Sequence, residues 1–350
     1  MDRRAAIKVA VASALAANFS VAQAQSSNAP GDATVVRPGR LKKGGTIGLI
    51  APASNAWEDE DIRISIDIVK SLGFRVRQGE HLFLRTNYLA GPDAERAEDV
   101  NRMFADDNVD AIFCLRGGYG TARILPYLDY DVIARNPKVL LGYSDITGIL
   151  TAIHVKTGLV GFHGPMFGQN FTDYTLGEFK KVLVEPSTRT GIAAPPPFET
   201  GEGRVDIKNR RTLIAGGVAR GRLVGGNLTL VCSLMGTEFE PDFQGRILFL
   251  EDVGEAPYRV DRMLTQLWLA GKLQQLAGIA FGKFTETGGS SGNTFSIEEV
   301  LRSRCADLGI PVMSGFMIGH VKDQTIVPIG IEAELDADEG TLTLLEEAVI

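Results

Sequence analysis

Between residues 45 and 163, short apolar runs alternate with longer stretches of helical spacing, and this alternation limits the fold more than any other feature of the chain. GTIGLIAPA, from Gly45, reads as a short strand ending in a turn. Asp59–Leu72 places Ile62, Ile64, Ile66, Ile68, Val69 and Leu72 at helical intervals, and Phe74–Val76 is a strand after Gly73. Ala94–Phe104 reads as helix, Val109–Leu115 as strand, Thr121–Ile133 as helix and Val139–Gly142 as strand. Ile146–Val155 follows as helix and Leu159–Phe162 as strand. Strands that are apolar throughout, rather than at every second residue, are covered on both faces. The pattern therefore predicts an α/β fold with a parallel sheet covered by helices on both faces. Ligands of such sheets bind beyond the carboxyl ends of the strands, so strand-end residues carry the functional argument.

Residues 185–210 break the alternation with three consecutive prolines and scattered Gly, Ser and Thr, which reads as a linker. Beyond it, Ala219–Val224, Arg246–Leu250 and Leu276–Phe281 read as strands, and Pro257–Leu269 as an amphipathic helix with Pro at a favoured first position. GGSSGN at 288–293 reads as a flexible loop and 331–350 as a hairpin. The expected organisation is a domain at 44–184, the linker at 185–210, and a mixed α/β domain at 211–350.

The N-terminus reads differently. Arg3, Arg4 and Lys8 precede an apolar run from Val9 to Ala17, and Ala22 and Ala24 flank Gln23, the pattern of a secretory signal with an A-x-A cleavage site. The run is too short to span a bilayer, which takes about 20 residues. Residues 1–24 are expected to be a signal peptide of twin-arginine or Sec type, with 25–43 a flexible segment and the mature chain in the periplasm. No later segment reads as a membrane span. A net charge of −7 without clustered cations disfavours nucleic acid as a partner. Three Cys (114, 232 and 305) with no C-x-x-C pair give no disulfide framework and read as buried thiols, and no His, Cys, Asp or Glu spacing suggests a metal site.

Two segments can carry chemistry. In KVLLGYSDITGIL, Ser144 sits on the turn between a buried strand and a helix, where a hydroxyl is exposed and the following N–H groups can hold an oxyanion. A structural alternative is a helix cap, a role Ser fills well, with Asp145 favouring the positive helix end. In AIFCLRGGYGTARIL, Gly117, Gly118 and Gly120 lie between a strand and a helix. They form either an oxyanion-binding turn opposite Ser144, with Arg116 and Tyr119 facing substrate, or a degenerate dinucleotide loop in which Arg123 crowds the third glycine position. Of the four His, His154 lies in an apolar helix, while His163 and His320 end apolar stretches as site residues do. Glu251 and Asp252 follow four apolar residues, where a carboxylate requires a partner; that partner is a His or, alternatively, Arg259 or Arg262.

Taken together, RGGYG, GYSDIT, HGPM, GGNLTLVCSLMGT, ILFLEDVGEAPYRVDRMLTQL and the late GH followed by PIG resemble the LD-carboxypeptidases (muramoyltetrapeptide carboxypeptidases), serine peptidase family S66. The likeness runs from about residue 44 to 345. It implies a Rossmann-like N-terminal domain related to class I glutamine amidotransferases, and a C-terminal domain that supplies an acid and a base. By motif, Ser144 corresponds to the nucleophile, Glu251 to the acid and His320 to the base, with the N–H of Asp145 and of Gly118 or Gly117 as the oxyanion hole. The implied reaction releases terminal D-alanine from murein tetrapeptides without a cofactor. The implied partner is a murein stem peptide, with homodimerisation open. Arg116, Gly117, Tyr119 and His163 are candidate substrate contacts. Microcin-immunity peptidases of the same family, a non-catalytic exported peptide-binding protein and a nucleotide-dependent enzyme are the competing readings.

Overall fold

The computed structural model describes residues 34–168, 170–288 and 294–350. The expected signal peptide and most of the GGSSGN loop lie outside them. The strands are β1 (Thr46–Ile50), β2 (Arg75–Gln78), β3 (Ala111–Cys114), β4 (Val139–Gly142), β5 (Gly161–His163), β6 (Thr190–Ile192) and β7 (Thr212–Ala215). They continue as β8 (Val218–Asn227), β9 (Ile247–Val253), β10 (Gly278–Thr285), β11 (Val312–Ser314), β12 (Val327–Ile329), β13 (Glu332–Asp336) and β14 (Thr341–Leu344).

The first sheet runs β12-β5-β4-β3-β1-β2, with β2-β1-β3-β4-β5 parallel and β12 antiparallel at the edge. Its central strands are buried at every position, which is why they read as unbroken apolar runs. Phe113 of β3 stacks on Phe167 at 4.5 Å. Each fully buried side chain of this size contributes roughly 1.5–3 kcal/mol. The chain order reverses between β1 and β3, so the crevice opens where the turns after β1 and β3 part.

The second sheet runs β6-β14-β13-β8-β9-β10-β11-β7, parallel from β8 through β11. Here β8 and β9 end side by side, with Asn227 opposite Glu251. Thr147, which opens the helix Thr147–Thr157 after β4, accepts a 3.0 Å bond from the Asn227 N–H. That bond ties the end of β4 in one sheet to the end of β8 in the other.

Most expected elements form within a residue or two of their expected bounds. Thr121–Ile133 instead breaks into a helix Thr121–Ile124, a 3₁₀ turn Leu125–Tyr127 and a helix Tyr130–Arg135. Pro126 cannot continue the hydrogen-bond ladder, and the Asp129 side chain caps the Val132 N–H at 2.9 Å to start a new helix. The stretch read as a linker contains β6, paired with β14 at the sheet edge. Residues 34–43, expected to be flexible, are packed: Val36 bridges to Leu159, and the Leu41 side chain is buried while its N–H donates to Leu183 C=O at 2.8 Å. Thr34–Ile350 form one compact unit, and β12 from the later half completes the first sheet.

Candidate active site

The turn after β4 is forced by small atoms. A Cβ on Gly142 would lie 2.8 Å from the Ile146 side chain, so only glycine lets the chain double back here. Tyr143 is extended, and Ser144 then takes φ 63°, a left-handed conformation that costs a non-glycine residue about 1–2 kcal/mol. Strain of this kind persists where the surroundings over-determine it. The helix-cap alternative fails, because the Ser144 hydroxyl makes no hydrogen bond among the described residues. The carboxylate of Asp145 accepts the Thr121 N–H at 2.8 Å, and the Thr121 hydroxyl donates to the Asp145 carbonyl. These bonds lock the serine turn to the glycine turn after β3.

The glycine turn faces the serine. A Cβ on Gly117 would sit 2.9 Å from Ser144 Cβ and 3.1 Å from its Oγ. Gly118 has φ 108°, and a Cβ there would clash with Ser54 at 2.5 Å. Ser54 Oγ accepts the Tyr119 N–H at 3.1 Å, and the buried Arg96 holds the Gly120 carbonyl at 2.9 Å. Among the described residues, the N–H groups of Gly117, Gly118 and Asp145 donate to no protein atom. Backbone donors left free beside a strained hydroxyl suit a developing oxyanion. Arg123, which argued against a dinucleotide loop, is engaged by Asp93 at 2.8 Å.

From the second sheet, Glu251 lies fully buried at the end of β9. Its Oε2 accepts a 2.7 Å bond from His320 Nδ1. A carboxylate on Nδ1 fixes the tautomer that leaves Nε2 with its lone pair. Burial raises the Glu251 carboxyl above its ordinary value, and the bond from His320 pulls it back down. His320 stands in a tight turn, with the Val321 N–H bonded to Gly319 C=O at 2.8 Å. Gly319 has φ 105°, and a Cβ on it would strike Glu251 Oε2 at 2.5 Å. Neither Arg259 nor Arg262 pairs with Glu251; Arg259 pairs with Glu255 at 3.6 Å.

Ser144 and His320 line one cavity of about 500 Å³, together with Leu115, Arg116, Gly117, Gly118, Tyr143 and Val253. No hydrogen bond joins the serine and histidine among the described residues. Such contacts often tighten only when substrate binds. Arg116 reaches the cavity with Nη1 held by the Asn55 carbonyl at 2.9 Å and its guanidinium 5.9 Å from the Trp57 ring centroid.

Two expected substrate contacts are placed elsewhere. Tyr119 is 52% exposed and packs edge-on against Tyr88 at 5.7 Å, because Ser54 holds its backbone so that the ring points outward. His163 is fully buried behind the acid, with Nε2 at 3.9 Å from Glu251 Oε1 and neither ring nitrogen hydrogen-bonded among the described residues. Its side chain is fixed between sheets by the Gly142–His163 register and by Phe249, 5.4 Å away.

Burial, reinforced by His320, depresses the His163 pKa to about 3. The unfolded chain takes up this proton near the ordinary value of about 6.5 and the native chain does not until about 3. Stability is therefore lost as pH falls through that window, by up to about 1.4 kcal/mol per unit. Urea unfolding of His163→Phe at about pH 4 and about pH 7 should show a smaller loss than the parent. Equal losses would count against this account of the ring.

Asn227 was not singled out from the sequence. Its Nδ2 donates to Asp252 Oδ1 at 2.9 Å and Glu251 Oε1 at 3.4 Å, while its Oδ1 caps the helix Leu228–Ser233. An Asn directly before the apolar run LTLV was a legible cap signal. Asp252, half of the FLED pair, binds the Thr229 N–H and hydroxyl instead of joining His320.

Comparison with known proteins agrees with this architecture. Residues 47–164 match the LD-carboxypeptidase N-terminal domain and residues 220–335 the LD-carboxypeptidase C-terminal domain. The chain is 40% identical to a probable murein peptide carboxypeptidase of Bacillus subtilis over 88% of its own length and 94% of the relative's. A structure of MccF in complex with glutamyl sulfamoyl guanosine superposes with a TM-score of 0.82 at 27% identity, covering 90% of this chain and 99% of that one. The muramoyltetrapeptide carboxypeptidase of Oxalobacter formigenes gives 0.72 at 31% identity, covering 85% and 97%. With that identity and coverage, the chain belongs to the LD-carboxypeptidase family of serine peptidases, family S66.

Proposed function

We propose that this enzyme hydrolyses the L,D amide bond that holds the terminal D-alanine of murein tetrapeptides, with Ser144 as nucleophile, His320 as general base and Glu251 as its orienting acid. The observation that carries the reading is the buried 2.7 Å Glu251–His320 bond on the wall of the cavity that also holds the strained Ser144. His320 Nε2 takes the Ser144 proton as Oγ bonds to the amide carbon. The N–H groups of Asp145 and Gly118 hold the oxyanion, each worth about 3 kcal/mol of barrier. His320 gives the proton to the departing D-alanine nitrogen as the C–N bond breaks. Water then adds to the acyl carbon, losing a proton to His320, and the proton returns to Ser144 as the ester opens. Arg116, which lines the cavity with its Nη1 held by the Asn55 carbonyl, supplies a positive charge that draws anionic peptide toward the site without binding its terminal carboxylate directly. The export pattern at residues 1–24 supports action on wall stem peptides in the periplasm.

Incubation of the protein with murein tetrapeptide should yield free D-alanine and tripeptide in equal amounts. Intact tetrapeptide after prolonged incubation would overturn the reading. The high likeness to MccF favours one second reading, hydrolysis of an aminoacyl-nucleotide amide. A glutamyl sulfamoyl nucleotide cleaved in preference to tetrapeptide would favour that alternative.

A further inference from the structure

Among the polar side chains lining the cavity, Tyr143 has no part in the reaction described above. Its ring lies 4.8 Å from the His320 ring, tilted at 59°, and 6.1 Å from His163. Tyr143 lines the cavity, and among the described residues its hydroxyl makes no hydrogen bond. Burial pushes the phenol up to about 12, so it is a proton donor throughout the physiological range.

The position of His320 gives this hydroxyl a direction. His320 must face the nitrogen of the departing residue to protonate it, so the wall beside His320 is the wall of the leaving group. In a C-terminal amino acid the carboxylate is two bonds from that nitrogen, within reach of any donor beside the imidazole. Among the described residues, the remaining lining residues Met166, Gly168 and Val253 offer no side-chain donor. Arg116 comes from the glycine turn and is already tied to Asn55. We infer that the Tyr143 hydroxyl donates a hydrogen bond to the free carboxylate of the residue being released, and so selects chain ends over internal peptide bonds. This rests on the proposed hydrolase reading and adds the group that makes it a carboxypeptidase.

The test compares one tetrapeptide in two forms, with a free C-terminal carboxylate and with a C-terminal carboxamide. Tyr143→Phe keeps the ring against His320 and removes only the donor. The ratio of kcat/KM for the acid over the amide should fall about tenfold to a hundredfold, the range for one hydrogen bond to a charged group. A general loss of folding or of His320 placement would lower both rates and leave the ratio unchanged, and an unchanged ratio overturns the inference. Calorimetry in a Ser144→Ala background reads the same contact without turnover. There Tyr143→Phe should weaken binding of the acid form and not of the amide. Failure of the parent protein to cleave either form would count against the hydrolase reading, and equal binding losses against this one.

Discussion

Ser144→Ala should lower D-alanine release by a factor of roughly 10⁴–10⁶, the range seen when a serine nucleophile is removed, and leave the unfolding transition where it was. The two readouts separate the roles of the side chain. Loss of a helix cap costs about 1 kcal/mol of stability and has no reason to touch chemistry. Among the described residues the Ser144 hydroxyl makes no hydrogen bond, so under the proposed mechanism its removal takes away a reactant and no structural bond. Ser144→Gly should be equally inactive and at least as stable as the parent. At φ 63° the serine backbone carries about 1–2 kcal/mol of strain. Glycine relieves that strain and gives back about 0.4–1 kcal/mol through the freer unfolded chain. Differential scanning calorimetry of the three proteins checks the order, and marked destabilisation of Ser144→Ala would point to a structural role.

Glu251→Gln should cost about 10⁴ in kcat while preserving the fold, the scale observed when a triad carboxylate becomes an amide. The amide fills the same buried space between His320 and Asn227. It cannot accept from Nδ1 with a full charge, and its own N–H favours the wrong imidazole tautomer. Burial already raises the carboxyl of Glu251, so loss of the charge removes a desolvation cost and the variant should not unfold more easily. Steady-state kinetics on tetrapeptide reads the effect. A decrease of less than tenfold would mean that His320 is oriented by something other than Glu251.

Much of the first sheet was legible because its central strands β3 and β4 are buried along their whole length, and an unbroken apolar run bounded by glycine is a local signal. Pro126 and Asp129 were local signals as well, and they divide a helix whose apolar spacing alone looked continuous. Pairings across the sheets left no such mark. β12 reads as part of the later half and adds to the first sheet, and β6 hides in a Pro-rich stretch because an edge strand of three residues has almost no periodicity. For the site, strand-end position marked Ser144, Glu251 and His320 as candidates, and the family motifs assigned them roles. Their meeting depends on the Asn227–Thr147 bond and on the absence of a side chain at Gly319, contacts that join residues 80 and 68 positions apart in the chain. His163 and Tyr119 end turns or strands in the same way, yet one faces the protein interior and the other solvent. Strand-end position does not encode which way a side chain points.

The proposed mechanism requires that the hydroxyl of Ser144 become covalently bonded to the acyl half of the peptide. Rapid acid quenching during turnover, followed by intact-mass and peptide mapping, measures that bond directly. A mass increase equal to the tripeptide acyl group is expected on the peptide that contains Ser144, and none in Ser144→Ala. Hydrolysis proceeding at full rate in Ser144→Ala, or an acyl group mapped to another side chain, would contradict it.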